Sequence, residues 1–270
     1  MASAPFFAVQ HIRRMRGGSQ AHLLRASDGH YYVTKFQNNP QHIRILFNEY
    51  FATKLGIHLG LPMPDVQIID VPQWLIDNTP ELKIDNAGLS APCAAGLQCG
   101  SEYAADPEQS HILDYLPEAM LKKVNNLKAF ASVLVFDKWA GNSDGRQAIF
   151  VKARQARSYR AMFIDQGYSF NAGEWDFSDR VLRGVYAHNS VYETVTGWNS
   201  FEPLLSRLKQ IELSDLWGFA SDIPKQWHEN DSEGLSELLN TLIKRRTLVR
   251  DLIDQFRVSS RSPFPNWTAT

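Results

Sequence analysis

Cysteine is almost missing from this chain, with Cys93 and Cys99 the only two in 270 residues. No His or Cys cluster stands near them at zinc-ligand spacing, which argues against a disulfide framework or structural zinc and leaves both as reduced thiols. Long apolar runs are also missing. No stretch approaches the ~20 residues that span a bilayer, and the opening MASAPFFAVQHIRRMRGG lacks the basic-then-apolar order of a secretory signal. A cytoplasmic protein without a membrane partner is expected. Net charge is nearly absent, at -1. That balance supplies no long-range pull toward nucleic acid, and no such partner is expected. Repeats and low-complexity tracts are lacking as well.

What remains is an ordinary globular composition, 44% hydrophobic and 21% charged, in a chain long enough for one large core or two lobes. SQAHLLRAS and HYYVTKFQ are strand-like runs joined by an Asp-Gly turn, a hairpin signature. From about His42 to Leu59, Ile43, Leu46, Phe47, Tyr50, Phe51 and Leu55 fall at spacings of three and four, so a helix with one apolar face is expected, ending at GLPMP. DVQIIDV alternates as a strand. Residues 76 to 110, rich in Pro, Gly, Asn and Asp, read as a loop-heavy connector between a first unit, 1–100, and a second, 101–270.

LKAFASVLVFDKW is apolar around most of its circumference, predicting a buried helix over about 126–139 capped by Gly141. QAIFVKA and YRAMFID predict a second hairpin. Residues 171 to 200 show no period and read as a long ordered loop. From Glu202 onward the pattern is helical, with a stripe from Leu235 to Phe256 that is core packing. The run Lys244, Arg245, Arg246 is expected on a solvated face, and the tail SSRSPFPNWTAT is expected to be loosely held.

Four features then line up in chain order. RGGSQ, Arg16 to Gln20, opens the first hairpin; glycines there would let backbone N–H groups approach a phosphate, or simply turn the chain. Lys35 ends a strand among apolar neighbours, where an inward lysine needs an anionic partner and an outward one needs none. Glu49 sits within the amphipathic helix, able to pair with Lys35 or to lie at the edge of the face. Asp144 follows the buried helix, and Asp165 ends an apolar strand in FIDQG, placed to hold a metal or to cap a turn.

A Gly-rich hairpin, strand Lys, helix Glu, loop Asp and Asp-x-Gly occur in the order used by protein-kinase-like phosphotransferases. The sequence resembles the HipA-like kinases, a bacterial Ser/Thr kinase family. LFNEYFATKLGIHLGLPMPDVQII is similar to that family's NEyfcmrLA...Gi.vP segment, and LVFDKWAGNSDGRQAIF to its LvFnfligNnDaHlkNf loop. GGSQ is similar to its GaQ phosphate loop. The likeness spans roughly residues 16 to 260 and is greatest to the short members.

The resemblance implies an α+β, two-lobed protein-kinase-like fold with a β-rich first lobe and a mostly helical second one. It implies ATP and Mg2+ as cofactors and an unidentified protein substrate phosphorylated on a Ser/Thr hydroxyl. Gly17, Gly18, Ser19, Gln20 and Lys35 would bind nucleotide, Glu49 would pair with Lys35, Asp144 would be the base, and Asp165 the metal ligand. Adenine would meet the backbone of residues 93–104. The family loop carries Asn where this chain has Ile149 and His where it has Arg146, so Asn142 and Gln147 become the candidates for further metal ligation. Arg146 would then offset phosphate charge or be a surface arginine. A second register, with Asp137 as base and Asn142 five residues on, stays open, as do a nucleotide-binding interaction module, nucleotidyl transfer and a small-molecule acceptor. A HipB-like partner is implied only for the full toxins.

Overall fold

The computed structural model describes residues 5–86, 88–104 and 110–268. Strands β1 (Phe6–Arg14), β2 (His22–Ala26) and β3 (Tyr31–Lys35) form an antiparallel meander. The expected Asp-Gly turn joins the last two, with Gly29 at φ +88°. Helix α1 (Arg44–His58) follows and then β4 (Val66–Val71). After α2 (Gln73–Asp77) and the hairpin β5 (Lys83–Asn86) and β6 (Leu89–Pro92), β7 (Gly96–Glu102) inserts between β3 and β4. A parallel contact of β1 with β4 closes these strands into the barrel β1-β2-β3-β7-β4.

The span 76–110 therefore corrects its reading as a connector. It holds a hairpin and a buried barrel strand, which Gly96, Gly100 and the lack of polar alternation disguise. Residue 100, the expected division, falls inside β7. Strand β1 lies outside the sequence expectation as well: Ala8 is its one buried residue, and it carries three basic or His positions, His11, Arg13 and Arg14.

Strand β8 (Ser110–Leu113) joins β9 (Gln147–Ala153) and β10 (Arg160–Ile164) in an antiparallel sheet. Between them lie α3 (Glu118–Leu121) and α4 (Ala129–Ala140). Ten of the twelve α4 residues are buried, as an all-round apolar helix requires, and Gly141 ends it in the left-handed region at φ 58°. The segment after β10 is irregular with short 3-10 turns, as expected. The chain finishes with α5 (Leu204–Gln210), α6 (Leu213–Ala220), α7 (Ser232–Arg245) and α8 (Val249–Arg257).

Two apolar clusters result. A small one lines the barrel, around Leu24, Phe36 and Ile69. A large one runs from Phe47, Phe51 and Leu55 of α1 through Phe136 and Trp139 of α4 to Leu242 and Phe256.

The basic run on α7 is not a solvated face. Lys244 is exposed, but Arg245 is buried, donating to the carbonyls of Lys138 and Trp139 at the end of α4 and to Asp179. Those carbonyls have no partner inside their own helix, and a cation there is doubly favoured. Arg246 donates to the carbonyls of Ile243, Lys209 and Ile211. The tail is anchored too: Phe264 is buried, and Arg261 donates to the carbonyls of Tyr186 and Ala187.

Candidate active site

Lys35 ends β3 with its side chain turned inward, 9% exposed. Its Nζ donates to Glu49 Oε2 at 2.7 Å and to Asp165 Oδ1 at 2.6 Å. Burial pushes the ammonium toward losing its proton, but the two carboxylates outweigh it and hold its pKa above the ordinary value. For Asp165, burial alone would raise the pKa; Lys35 and then Arg146 outweigh it and keep the carboxyl below its usual range. One cation thus faces two anions, an arrangement that favours a further positive charge.

The backbone is built for this contact. Asp165 lies at φ +60°, a region costly for a residue other than glycine, and such strain collects at functional sites. Gly167 must be glycine: a Cβ there would stand 2.7 Å from Ile45 Cγ2 and 3.3 Å from Lys35 Nζ. Asn48, next to Glu49, donates to the carbonyls of Gly167, Ser169 and Ala172, tying α1 to the segment after Asp165.

A cavity of about 450 Å3 opens over the triad. Val33 and Ala21 of the barrel and Ile149 and Ile164 of β9 and β10 give it an apolar part, Lys35, Glu49, Asp165 and Gln147 a polar part. Ser101, Glu102, Tyr103 and Ala104 form its edge, whereas Cys93 and Cys99 are buried away from it, so only the last four residues of the expected 93–104 hinge reach the cavity. A second cavity of about 230 Å3 lies between Gly17, Gly18 and Ser19 on one side and Asp144, Gln147 and Asp165 on the other, with Tyr168 and Arg16 at its margin. Lys35, Glu49, Asp144, Asp165, Gly17, Gly18, Ser19 and Gln147 therefore meet around two adjoining cavities.

Three expectations are corrected by their side chains. Gln20 stays off both cavities: its Oε1 accepts from Asp85 N at 2.8 Å and its Nε2 donates to the Asp85 carbonyl at 2.6 Å, so it clamps the loop to the β5–β6 hairpin. Asn142 is buried, donates to Asp137 Oδ1 at 3.0 Å and accepts from Asp144 N at 3.1 Å, which spends its amide inside the loop rather than on a metal. Arg146 is neither at the surface nor in the cleft; it is buried on Asp137. That ion pair also occupies Asp137, the alternative base.

Gln147 Nε2 donates to Asp165 Oδ2 at 3.1 Å. Two residues on, and therefore on the same face of β9, Ile149 lines the apolar part of the cavity. The amide at the acid is thus supplied by Gln147. No group of three His, Cys, Asp or Glu side chains that could hold a metal occurs among the described residues. Mg2+ does not require one, because it usually takes one or two carboxylates together with phosphate oxygens and water. Asp165 with the Gln147 amide fits that demand.

The sequence profile described as HipA-like kinase matches residues 9–257. Among solved structures, the Helicobacter pylori proinflammatory kinase CtkA superposes with a TM-score of 0.57 at 14% identity, covering 95% of this chain and 100% of that one. A Golgi casein kinase matches with a TM-score of 0.55 at 11% identity over 95% of this chain and 74% of its own. The same kinase with Mn/ADP bound gives 0.54, at 11% identity, 96% of this chain and 74% of that one. No curated protein sequence matches. These likenesses show a kinase fold of α+β content, and with the profile covering nearly the whole chain, the protein belongs to the HipA-like kinase family.

Proposed function

We propose that this protein is an ATP- and Mg2+-dependent phosphotransferase acting on a protein Ser/Thr hydroxyl in the cytoplasm. The observation that carries this reading is Lys35 held between Glu49 and Asp165 at 2.7 and 2.6 Å beneath a glycine loop. The barrel with α1 would act as a small lobe and the rest as a larger one, with nucleotide between them.

Adenine would lie in the apolar part of the larger cavity between Val33 and Ile149. Lys35, once the phosphates arrive, would share its charge with them while Glu49 keeps it in place. Asp144, at the second cavity, would orient the acceptor hydroxyl and receive its proton. Asp165 and Gln147 would hold the Mg2+, which neutralises phosphate charge when bound. Catalysis of this kind is mostly positioning and electrostatics.

A second reading, a nucleotide-binding interaction module, draws on Ile149 standing where the family places an amide. Thermal-shift titration with ATP, with and without Mg2+, on wild type and Asp165→Ala tests both. Mg2+-dependent stabilisation lost in the variant is expected, about 2.7 kcal/mol at ~100 times the dissociation constant. Nucleotide binding without any autophosphorylation by mass spectrometry would favour the module, and no shift at millimolar ATP would overturn the enzyme reading.

A further inference from the structure

The charge that the cleft needs beyond Lys35 has one evident source. Acidic groups outnumber basic ones around the two cavities, where Glu49, Asp165 and Asp144 face Lys35, itself already committed to the first two. Arg146 cannot help, because Asp137 holds its guanidinium at 1% exposure. Arg13 lies at the far edge, where Nη2 donates to Tyr103 Oη at 3.5 Å. Arg16, directly before Gly17, borders both cavities, so it stands beside the polar end of one and across from Asp144 in the other. It is exposed and has no ion pair or side-chain hydrogen bond among the described residues.

We propose that Arg16 is a catalytic residue whose guanidinium contacts the γ-phosphoryl group during transfer, an assignment that rests on the phosphotransferase reading. In the step, the acceptor hydroxyl oxygen forms a bond to the γ-phosphorus, and the bond from that phosphorus to the β,γ-bridging oxygen breaks. The electron pair leaves on ADP, and the hydroxyl proton passes to Asp144 and then to solvent. Charge spreads over the three equatorial oxygens of the transferring group, and a planar guanidinium with several donors suits them better than an ammonium. The same loop that covers the phosphates would thus deliver the second protein cation, the part that Arg146, buried on Asp137, does not supply.

The test compares wild type, Arg16→Ala and Arg16→Lys by calorimetric titration with Mg-ADP and with Mg-ADP plus aluminium fluoride, a transition-state mimic, alongside autophosphorylation rates. Arg16→Ala is expected to keep its melting temperature and its ADP affinity while losing about 100-fold in affinity for the mimic and in rate. The lysine variant should recover part of both losses. The proposal is overturned if the mimic binds the alanine variant within about threefold of wild type, or if ADP binding falls as far as mimic binding does. A wild type that binds neither ligand would instead sink the phosphotransferase reading, and this role with it.

Discussion

Arg146 lies bidentate on Asp137: Nε donates to Oδ2 at 2.8 Å and Nη2 to Oδ1 at 2.5 Å, with both side chains essentially inaccessible to water. The same guanidinium donates to the Ile164 carbonyl at 2.9 Å and to Gln166 Oε1 at 3.0 Å, so it grips the residues on either side of Asp165. Asp137 in turn holds Asn142, which accepts from the Asp144 backbone. One buried ion pair thereby sets both acids of the candidate site. Burial opposes the arginine's charge, but Asp137 outweighs it and raises the pKa above the ordinary value.

Removing either partner strands the other as an uncompensated buried charge. Asp137→Ala and Arg146→Ala should each cost about 3–5 kcal/mol in urea unfolding. The joint replacement by apolar residues of similar volume should cost clearly less than the sum of the two. Single variants within about 1 kcal/mol of wild type would refute this account of the pair.

Gln147 and Ile149 should behave oppositely toward metal. Gln147→Leu is expected to weaken the Mg2+ dependence of ADP binding about tenfold. Ile149→Asn, which sets an amide under the apolar part of the cavity, should weaken ADP binding with or without the ion. If Ile149→Asn instead strengthens the metal dependence, position 149 belongs to the metal site, and the interaction-module reading gains.

His22 gives a pH signature away from the site. Its ring is buried against Phe36, which pushes its pKa down to about 4; the Lys83 carbonyl opposes this weakly, and His11 and Arg14 add to it. The unfolded chain therefore binds the proton first as pH falls. Stability from this group is complete above the unfolded value of ~6.5 and is lost between there and about pH 4, by up to about 3 kcal/mol. Urea midpoints over that interval should fall less steeply in His22→Gln than in wild type, and equal slopes would contradict the assignment.

Much of the site could be read from residue order alone. Lys35, Glu49, Asp144 and Asp165 stand in local contexts that announce themselves: a strand end, an amphipathic helix, the break after a buried helix, an Asp-x-Gly. What stayed hidden depended on long-range partners. Arg146 meets Asp137 nine residues away, across a turn whose shape no spacing rule gives. Arg245 finds its carbonyls on α4, more than a hundred positions earlier. Strand β7 escaped notice because a strand flanked on both sides needs no polar alternation, and its glycines look like breakers. That Ile149 shares a face of β9 with Gln147, which donates to Asp165, depends on the strand and its pairing rather than on residue order.

Helix α1 is rooted on the helical side of the molecule. Rolling it to carry Glu49 off Lys35 would drag Phe47 and Phe51, both fully buried, out of the large cluster and break the three bonds from Asn48. Kinases that are throttled by displacing this helix exploit a loose one. Here the lysine–glutamate contact is anchored in the large core, whereas the glycine loop is tied to the β5–β6 hairpin through polar contacts such as those of Gln20 with Asp85.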